Sequence, residues 1–303
     1  MEYYHPKYDT LRLLSDAGRF LVADRLKRFL RDYEVREWPV NCFALLRRIK
    51  ESGKINLALQ TCAGLSGGFD AVTEYLPSIG CYLVITKPPP ENWAQRSSAR
   101  RCNFTLAHEL GHIFLGHLEI PREAKSEQHL ERDDAEADEF ASRLLMPEKL
   151  ILTGRFASRA EMAAAFLVSE QACWHRLNNL HRLDRLACPP PECPECGSRL
   201  ISPWARFCRH CGAFLRPGED RALPEEAQED APVIRFPLPR ECPFCGTDIL
   251  PLPGGECTAC GVPWNNPCLA EYDQPRHPNP AAALFCEICG AETTCASMFR
   301  NPI

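Results

Sequence analysis

One short segment of the chain, His108-Glu109-Leu110-Gly111-His112, has the residue types and spacing of a metal site. On a helix, His108 and His112 are one turn apart on the same face, so both imidazoles can reach a single metal ion. Glu109 stands beside them, where its carboxylate can take a proton from a metal-bound water. The pattern H-E-x-x-H also arises by chance, so taken alone it leaves two alternatives, a zinc site and a helix with two solvated histidines.

A carboxylate-rich segment about twenty residues later offers a third ligand. Asp134 and Asp138 are four residues apart and share one helical face. One of them can bind the metal while the other holds a ligand histidine by the distal N–H of its ring. The competing interpretation is an acidic helix start, which the helix dipole favours in any case. The apolar residues that orient the polar face of this helix are Ala137, Phe140, Ala141, Leu144 and Leu145.

The elements that must position these residues form an α+β pattern. Apolar periodicity, capping residues and proline breaks predict two helices, a small sheet and three more helices. In chain order the predicted elements are helices over about 22–33 and 40–53, strands at 55–59 and 81–86, and helices over about 97–117, 133–146 and 158–186.

Three segments in this order, FTLAHELGH, AEADEFASRLLMP and FLVSEQACWHRL, resemble the ImmA/IrrE family of bacterial metallopeptidases. The resemblance covers roughly residues 20 to 186 and implies a zincin-like metallopeptidase domain. It implies metal-ligand roles for His108 and His112 and the role of catalytic base for Glu109. Members of this family typically cut a helix-turn-helix transcriptional repressor, so the resemblance also implies a specific protein substrate of that kind.

The chain departs from the family at the third ligand, where the family pattern reads E-x-x-A-[ND]-x-F-A. Alignment on Ala137 and Phe140 places Asp134 at the position of the ligand glutamate. Aspartate is one methylene shorter, so its helix has to lie closer to the metal. Glu136 is the competing candidate, although it lies roughly 200° away from Asp134 around the helix. We predict Asp134 as the third ligand of the catalytic zinc and Asp138 as the residue that holds a ligand histidine.

The group that stabilises the oxyanion is left open by the sequence. His117, His129, Tyr75 and Tyr82 are all candidates, because each offers a hydrogen-bond donor. For the two histidines the simpler interpretation is a surface or helix-capping position.

Cysteine dominates the end of the chain, where 13 of the 18 cysteines lie from Cys188 onward. Four Cys-x-x-Cys-Gly knuckles form two pairs, and 11 residues separate the knuckles within each pair. Two knuckles supply four thiolates to one tetrahedral zinc, so a repeated spacing predicts structural zinc sites. The ligands are Cys193, Cys196, Cys208 and Cys211 for the first site and Cys242, Cys245, Cys257 and Cys260 for the second.

A further knuckle at Cys286 and Cys289 has no Cys-x-x-Cys partner. Cys268 and His277 lie upstream, and eight residues separate each ligand candidate from the next. These four residues predict a third structural zinc. The three modules resemble zinc ribbons, whose cores are too small to fold without metal.

Composition separates the chain into two parts and limits its location. The predicted domains are a zincin-like metallopeptidase domain over 1–187, zinc ribbon 1 over 188–216, a solvated linker over 217–240, and zinc ribbons 2 and 3 over 241–303. The N-terminus has no export signal and no apolar run reaches the ~20 residues that span a bilayer. We therefore expect a cytoplasmic protein without a membrane partner, in which paired cysteines bind metal instead of forming disulfides.

Two functional hypotheses follow. The first is a zinc metallo-endopeptidase with one catalytic zinc and two or three structural zincs, whose ribbons dock or sense a protein substrate. The second is a non-catalytic regulatory protein whose ribbons bind protein or nucleic acid. Ribbon 1 is locally basic and aromatic, but the chain from Cys188 onward has no Lys and is acidic overall, which favours protein contact over nucleic acid. The residues behind the nucleic-acid alternative are Arg199, Trp204, Arg206, Phe207, Arg209 and Arg216.

Overall fold

The computed structural model describes residues 5, 9–65, 70–88, 97–183, 192–199, 201–216, 233–234, 241–242, 245–247, 255–270 and 276–300. The chain divides into two compact units. The first takes in Met1–Val35, Pro39–Leu152 and Phe156–Cys188, and the second takes in Arg36–Trp38, Thr153–Arg155 and Pro189–Ile303. Helices and a small sheet make up the first unit, so the predicted α+β class is confirmed.

Helices dominate the described part of the first unit, and side-chain caps start most of them. They are α1 (Asp16–Asp32), α2 (Cys42–Ser52), α3 (Ser97–Leu115), α4 (Glu127–Leu145), α5 (Glu148–Thr153), α6 (Arg159–Phe166) and α7 (Glu170–Asn179). Five of these helices have an N-cap whose side-chain oxygen accepts a backbone N–H three residues later. The caps are Ser15, Asn41, Ser126, Ser158 and Ser169.

The single helix predicted from Ser158 toward Leu186 is wrong. The chain instead turns at Leu167, which has a left-handed φ of 54°, and Ser169 then caps α7. Left-handed turns usually use glycine, so a leucine in this conformation gave the sequence no stop signal. Ser126 also starts α4 at Glu127, several residues before the predicted start.

The sheet contains strands β2 (Leu57–Thr61), β3 (Ala71–Leu76) and β4 (Cys81–Thr86) in the order β2-β4-β3. β2 runs parallel to β4 and β3 runs antiparallel to it. The sequence pattern missed β3, since polar residues interrupt its alternation. Asp70 ties the sheet to α3, because its carboxylate accepts hydrogen bonds from Lys87 Nζ at 2.9 Å and Arg101 Nε at 2.6 Å.

Helices α3 and α4 pack closely enough to bring the two predicted metal-binding segments together. A Cβ atom at Gly111 would lie 2.9 Å from the Cα of Ala137, which no real Cβ tolerates. Around this crossing, Phe29 of α1 packs edge-on against Phe114 and Phe140. The absence of a side chain at residue 111 therefore sets the separation of the two helices.

The second unit has little regular structure among its described residues. β1 (Glu37–Trp38) pairs in parallel with β5 (Val233–Ile234), and α8 spans Thr294–Arg300. Val233 and Ile234 lie in the predicted linker, whereas its acidic run PEEAQEDAP lies outside the described residues. Within the described ranges, no helix combines the length and apolarity that crossing a membrane requires.

Candidate metal centres

The two histidines of α3 direct their Nε2 atoms toward each other. His108 Nε2 and His112 Nε2 are 2.9 Å apart, and Asp134 Oδ1 on α4 lies 3.5 Å from His112 Nε2. One ligand atom from each of these three residues lies within 4.8 Å of the other two. The structure thus brings together the three residues that the sequence predicts as ligands of a catalytic zinc.

These separations suit a tetrahedral zinc ion. Ligand atoms about 2.1 Å from zinc lie about 3.4 Å apart at the corners of a tetrahedron. The observed distances of 2.9 and 3.5 Å lie on either side of that value. Two nitrogens and one carboxylate oxygen would leave one position of a tetrahedral zinc for water, the arrangement typical of catalytic zinc sites.

Charge around the histidine pair favours a bound cation. Burial lowers the pKa of His108, but its hydrogen bond to Asp138 and the nearby carboxylates outweigh burial, so that pKa lies above its ordinary value. Burial, together with His108 and His117, lowers the pKa of His112 in spite of the contact with Asp134. The contact with His112 holds the pKa of the Asp134 carboxyl below its usual range, so Asp134 stays ionised.

Asp138 and Glu109 also lie where the sequence analysis expects them. Nδ1–H of His108 donates to Asp138 Oδ1 at 2.8 Å, which leaves the ring's lone pair on Nε2. Glu109 follows His108 on α3, is half-buried, and its negative charge acts on both histidines to raise their pKa values. A ligand set, a residue that orients one ligand and a carboxylate able to serve as base therefore occupy one site.

Glu136, the competing candidate for third ligand, belongs to a neighbouring cluster with His117. Nε2–H of His117 donates to Glu136 Oε2 at 3.1 Å, and both residues are buried. The interpretation of His117 as a surface or capping residue is therefore wrong. Gly116 ends α3 with a left-handed φ of 80°, and this turn folds His117 back until its Nδ1 lies 3.0 Å from Nδ1 of His112. The glycine is the one sequence signal that points to this return.

The cysteine clusters have the dimensions of tetrahedral thiolate sites. Sulfurs bound to zinc at about 2.3 Å lie about 3.8 Å apart, whereas a disulfide joins sulfurs about 2.05 Å apart. Representative Sγ–Sγ distances are 3.6 Å for Cys193–Cys211, 3.7 Å for Cys196–Cys208, 3.5 Å for Cys242–Cys260 and 3.6 Å for Cys245–Cys257. Cys268 Sγ lies 3.6 Å from His277 Nδ1, and Cys286 and Cys289 complete that cluster.

The same local turn recurs in all three modules. In the last knuckle of each module the glycine N–H donates to the carbonyl of that knuckle's first cysteine, at 2.8 to 2.9 Å, and the glycine φ lies between 71° and 78°. The glycines concerned are Gly212, Gly261 and Gly290. Positive φ explains why the knuckle motif ends in glycine.

Residues 94–178 match the family described as the IrrE N-terminal-like domain, Peptidase_M78. Residues 192–215 match the zinc-ribbon domain. The resemblance to the ImmA/IrrE family is therefore confirmed, and the cysteine clusters together with the ribbon match support structural zinc.

A solved structure of a Mycobacterium tuberculosis transcriptional regulator aligns with 60% of this chain at 14% sequence identity and a TM-score of 0.40. The alignment covers 54% of that protein, so the chain spans about half the length of this structural relative. No curated protein sequence matches the chain.

The matched region, residues 94–178, contains every residue of the histidine site described above. The zinc ribbons have their own organisation, in which the second knuckle of ribbon 1 packs against the knuckle of ribbon 3. The N–H groups of Arg206 and Phe207 donate to the carbonyl of Glu287, and those of Leu284 and Phe285 donate to the carbonyl of Arg209.

A buried ion pair completes this reciprocal contact between the ribbons. Arg209 Nε lies 2.8 Å from Glu287 Oε1, and the Glu287 side chain is fully buried. Gly212 packs on Phe285, and Gly290 packs on Phe207, so closely that a Cβ at either glycine would clash with the ring. Ribbons 1 and 3 thus form one pseudo-symmetric pair, although the sequence places ribbon 2 between them.

Proposed function

We propose that the chain is a zinc-dependent endopeptidase that hydrolyses a peptide bond in one specific protein, with a helix-turn-helix repressor as the first candidate. The observation that carries this proposal is the convergence of His108 Nε2, His112 Nε2 and Asp134 Oδ1 beside Glu109. The match to the Peptidase_M78 family supports a metallopeptidase-like activity.

The chain's residues divide the chemistry between them. His108, His112 and Asp134 would hold zinc, and zinc, when bound, polarises the scissile carbonyl and lowers the pKa of the attacking water. Glu109 accepts one proton from that water as its oxygen attacks the carbonyl carbon. Glu109 then returns the proton to the amide nitrogen as the C–N bond breaks, so hydrolysis leaves a carboxyl group and an amine.

The ribbons are proposed to dock or sense the substrate protein. Two of the arginines that made ribbon 1 a candidate for nucleic-acid binding instead form contacts within the protein. Arg209 pairs with Glu287, and Arg216 is buried with its Nε donating to the carbonyl of Ala205. Phosphate binding needs accessible cations, so these contacts favour a protein partner.

The proposal can be tested by comparing cells that express the wild type with cells that express Glu109→Gln, using mass spectrometry of newly formed protein N-termini. We expect a small set of N-termini that appear only with the wild type and that the purified wild type reproduces on the purified substrate. Identical sets in the two strains would contradict endopeptidase activity. Cleavage confined to proteins other than repressors would keep the activity and reject the repressor.

A further inference from the structure

His117 closes a chain of contacts that starts at a proposed zinc ligand and ends at a buried carboxylate. His112 Nδ1 and His117 Nδ1 are 3.0 Å apart, and His117 Nε2 and Glu136 Oε2 are 3.1 Å apart. The side chains of His117 and Glu136 are 7% and 8% exposed, so water competes little for these contacts. Two hydrogen bonds in series therefore connect His112 to Glu136.

The protons of this chain can be assigned from the acceptor at its end. The Glu136 carboxylate can only accept, so His117 carries its proton on Nε2. With that proton on Nε2, Nδ1 of His117 faces Nδ1 of His112 and can accept a hydrogen bond from it. The lone pair of His112 is consequently on Nε2, the atom that faces His108 and Asp134.

We propose that His117 is a positioning residue for the metal centre, which fixes His112 in the tautomer that binds zinc through Nε2. This inference rests on the proposed function only in taking His108, His112 and Asp134 as the ligands. It assigns Glu136 a role as well, since Glu136 fixes the proton of His117. The two ligand histidines are then oriented in different ways. His108 contacts the carboxylate of Asp138 directly. His112 contacts the ring of His117, which in turn contacts the carboxylate of Glu136.

The surrounding residues hold His117 in place from its backbone side. Lys125 Nζ donates to the His117 carbonyl and lies 2.6 Å from Asp133 Oδ2. Gly18 leaves room for Glu136, because a Cβ at residue 18 would lie 3.0 Å from Glu136 Oε1. Lys125 pairs with Asp133, so the charge of one of the two carboxylates beside His117 is balanced by a lysine of the chain itself.

The test uses the full chain and two readouts that do not depend on proteolysis. The first is NMR of the protein labelled with ¹⁵N in histidine rings, which reports which ring nitrogen carries the proton. The second is zinc release to a chromogenic chelator with free thiols followed in parallel, because zinc that leaves without new thiols comes from the histidine site. The variants are His117→Phe, which removes the acceptor, His117→Asn, which keeps an acceptor oxygen near Nδ1, and the control His175→Phe, a half-buried histidine of α7.

We expect the wild type to show His112 protonated on Nδ1 and His117 on Nε2. His117→Phe should weaken zinc binding at the histidine site by about 10- to 100-fold, the usual effect of losing a residue that orients a ligand histidine. His117→Asn should restore much of that loss, and His175→Phe should match the wild type.

A doubly protonated His117, or wild-type zinc affinity in His117→Phe, would overturn the positioning role while leaving the proposed peptidase intact. If His117→Asn binds zinc as weakly as His117→Phe, the ring acts by packing and the inference is again wrong. A wild type that binds no zinc outside the ribbons would overturn both proposals. Tight zinc binding with the expected protonation but without proteolysis would remove the proposed activity alone.

Discussion

The histidine site and the ribbon sites hold their ligands by opposite means. In the first unit, His108 and Asp134 stand on helices of 19 residues each, and those helices bury a large apolar core around Phe140 and Leu110. In the described part of ribbon 1, the buried apolar cluster is small and consists of Cys193, Ile201, Ala205, Cys208 and Leu215, two of which are ligands themselves. Protein packing positions the first site before metal arrives, whereas metal is part of the core in the second. Loss of zinc should therefore remove chemistry from one region and structure from the other.

Complete removal of zinc should produce the largest structural effect, and it should separate the ribbons from the helical unit. A structural zinc contributes about 10 kcal/mol or more to folding of a small module, so the ribbons should unfold without it. Amide hydrogen exchange should show loss of protection at Gly212 and Gly290 while Leu110 on α3 keeps its own. Equal loss of protection in both regions would show that the helical unit also depends on metal for folding.

Glu109→Gln should remove activity and leave both kinds of site intact. Glutamine has the same size but cannot accept the proton, so peptide hydrolysis should fall by about 10²- to 10⁴-fold. The full-length chain should keep about four zinc ions, one in the histidine site and three in the ribbons. Elemental analysis and kinetics on the identified substrate check this, with the exposed Glu127→Gln on α4 as the matched control. A lower zinc content in Glu109→Gln would move Glu109 from base to ligand.

Asp134→Ala and Glu136→Ala separate a ligand from a supporting carboxylate. Asp134→Ala should lose the zinc of the histidine site on gel filtration, since only two protein ligands would remain. Glu136→Ala should retain that zinc with a weaker affinity, because Glu136 contacts His117 and not the ligand atoms. Elemental analysis decides between them, and the reverse order of losses would make Glu136 the ligand.

Glu287→Gln should have the smallest effect of these changes, and it should destabilise ribbons 1 and 3 together. The substitution removes the charge that pairs with Arg209, at a cost of about 2 kcal/mol for a hydrogen bond to a charged group. We expect faster zinc release from ribbons 1 and 3, and unchanged release from ribbon 2 and the histidine site. Thiol-coupled release kinetics measure this, with Glu256→Gln in ribbon 2 as control. Faster zinc release from ribbon 3 alone would show that the contact between the two ribbons does not stabilise ribbon 1.

Sequence alone predicted which residues cluster, because candidate ligands at fixed short spacing are brought together by the local structure itself. The helix spacing of His108 and His112 and the knuckle spacing of the cysteines are of this kind. Contacts between segments that are distant in the sequence have no comparable spacing pattern. The return of His117 to His112 depends on a left-handed turn, and the pairing of Arg209 with Glu287 joins residues 78 positions apart. The break at Leu167 was missed for a related reason, since tertiary packing there overrides the conformational preference of leucine.

The pairing of ribbons 1 and 3 also closes a long loop that contains all of ribbon 2. The entropy lost on closing a loop grows only with the logarithm of its length, at about 0.6 kcal/mol per doubling. Deleting ribbon 2 or inserting another module of similar size would therefore change the closure free energy by less than about 1 kcal/mol. In polymer terms, the position between the paired ribbons is a site where a module can be gained, lost or exchanged while the pair itself persists.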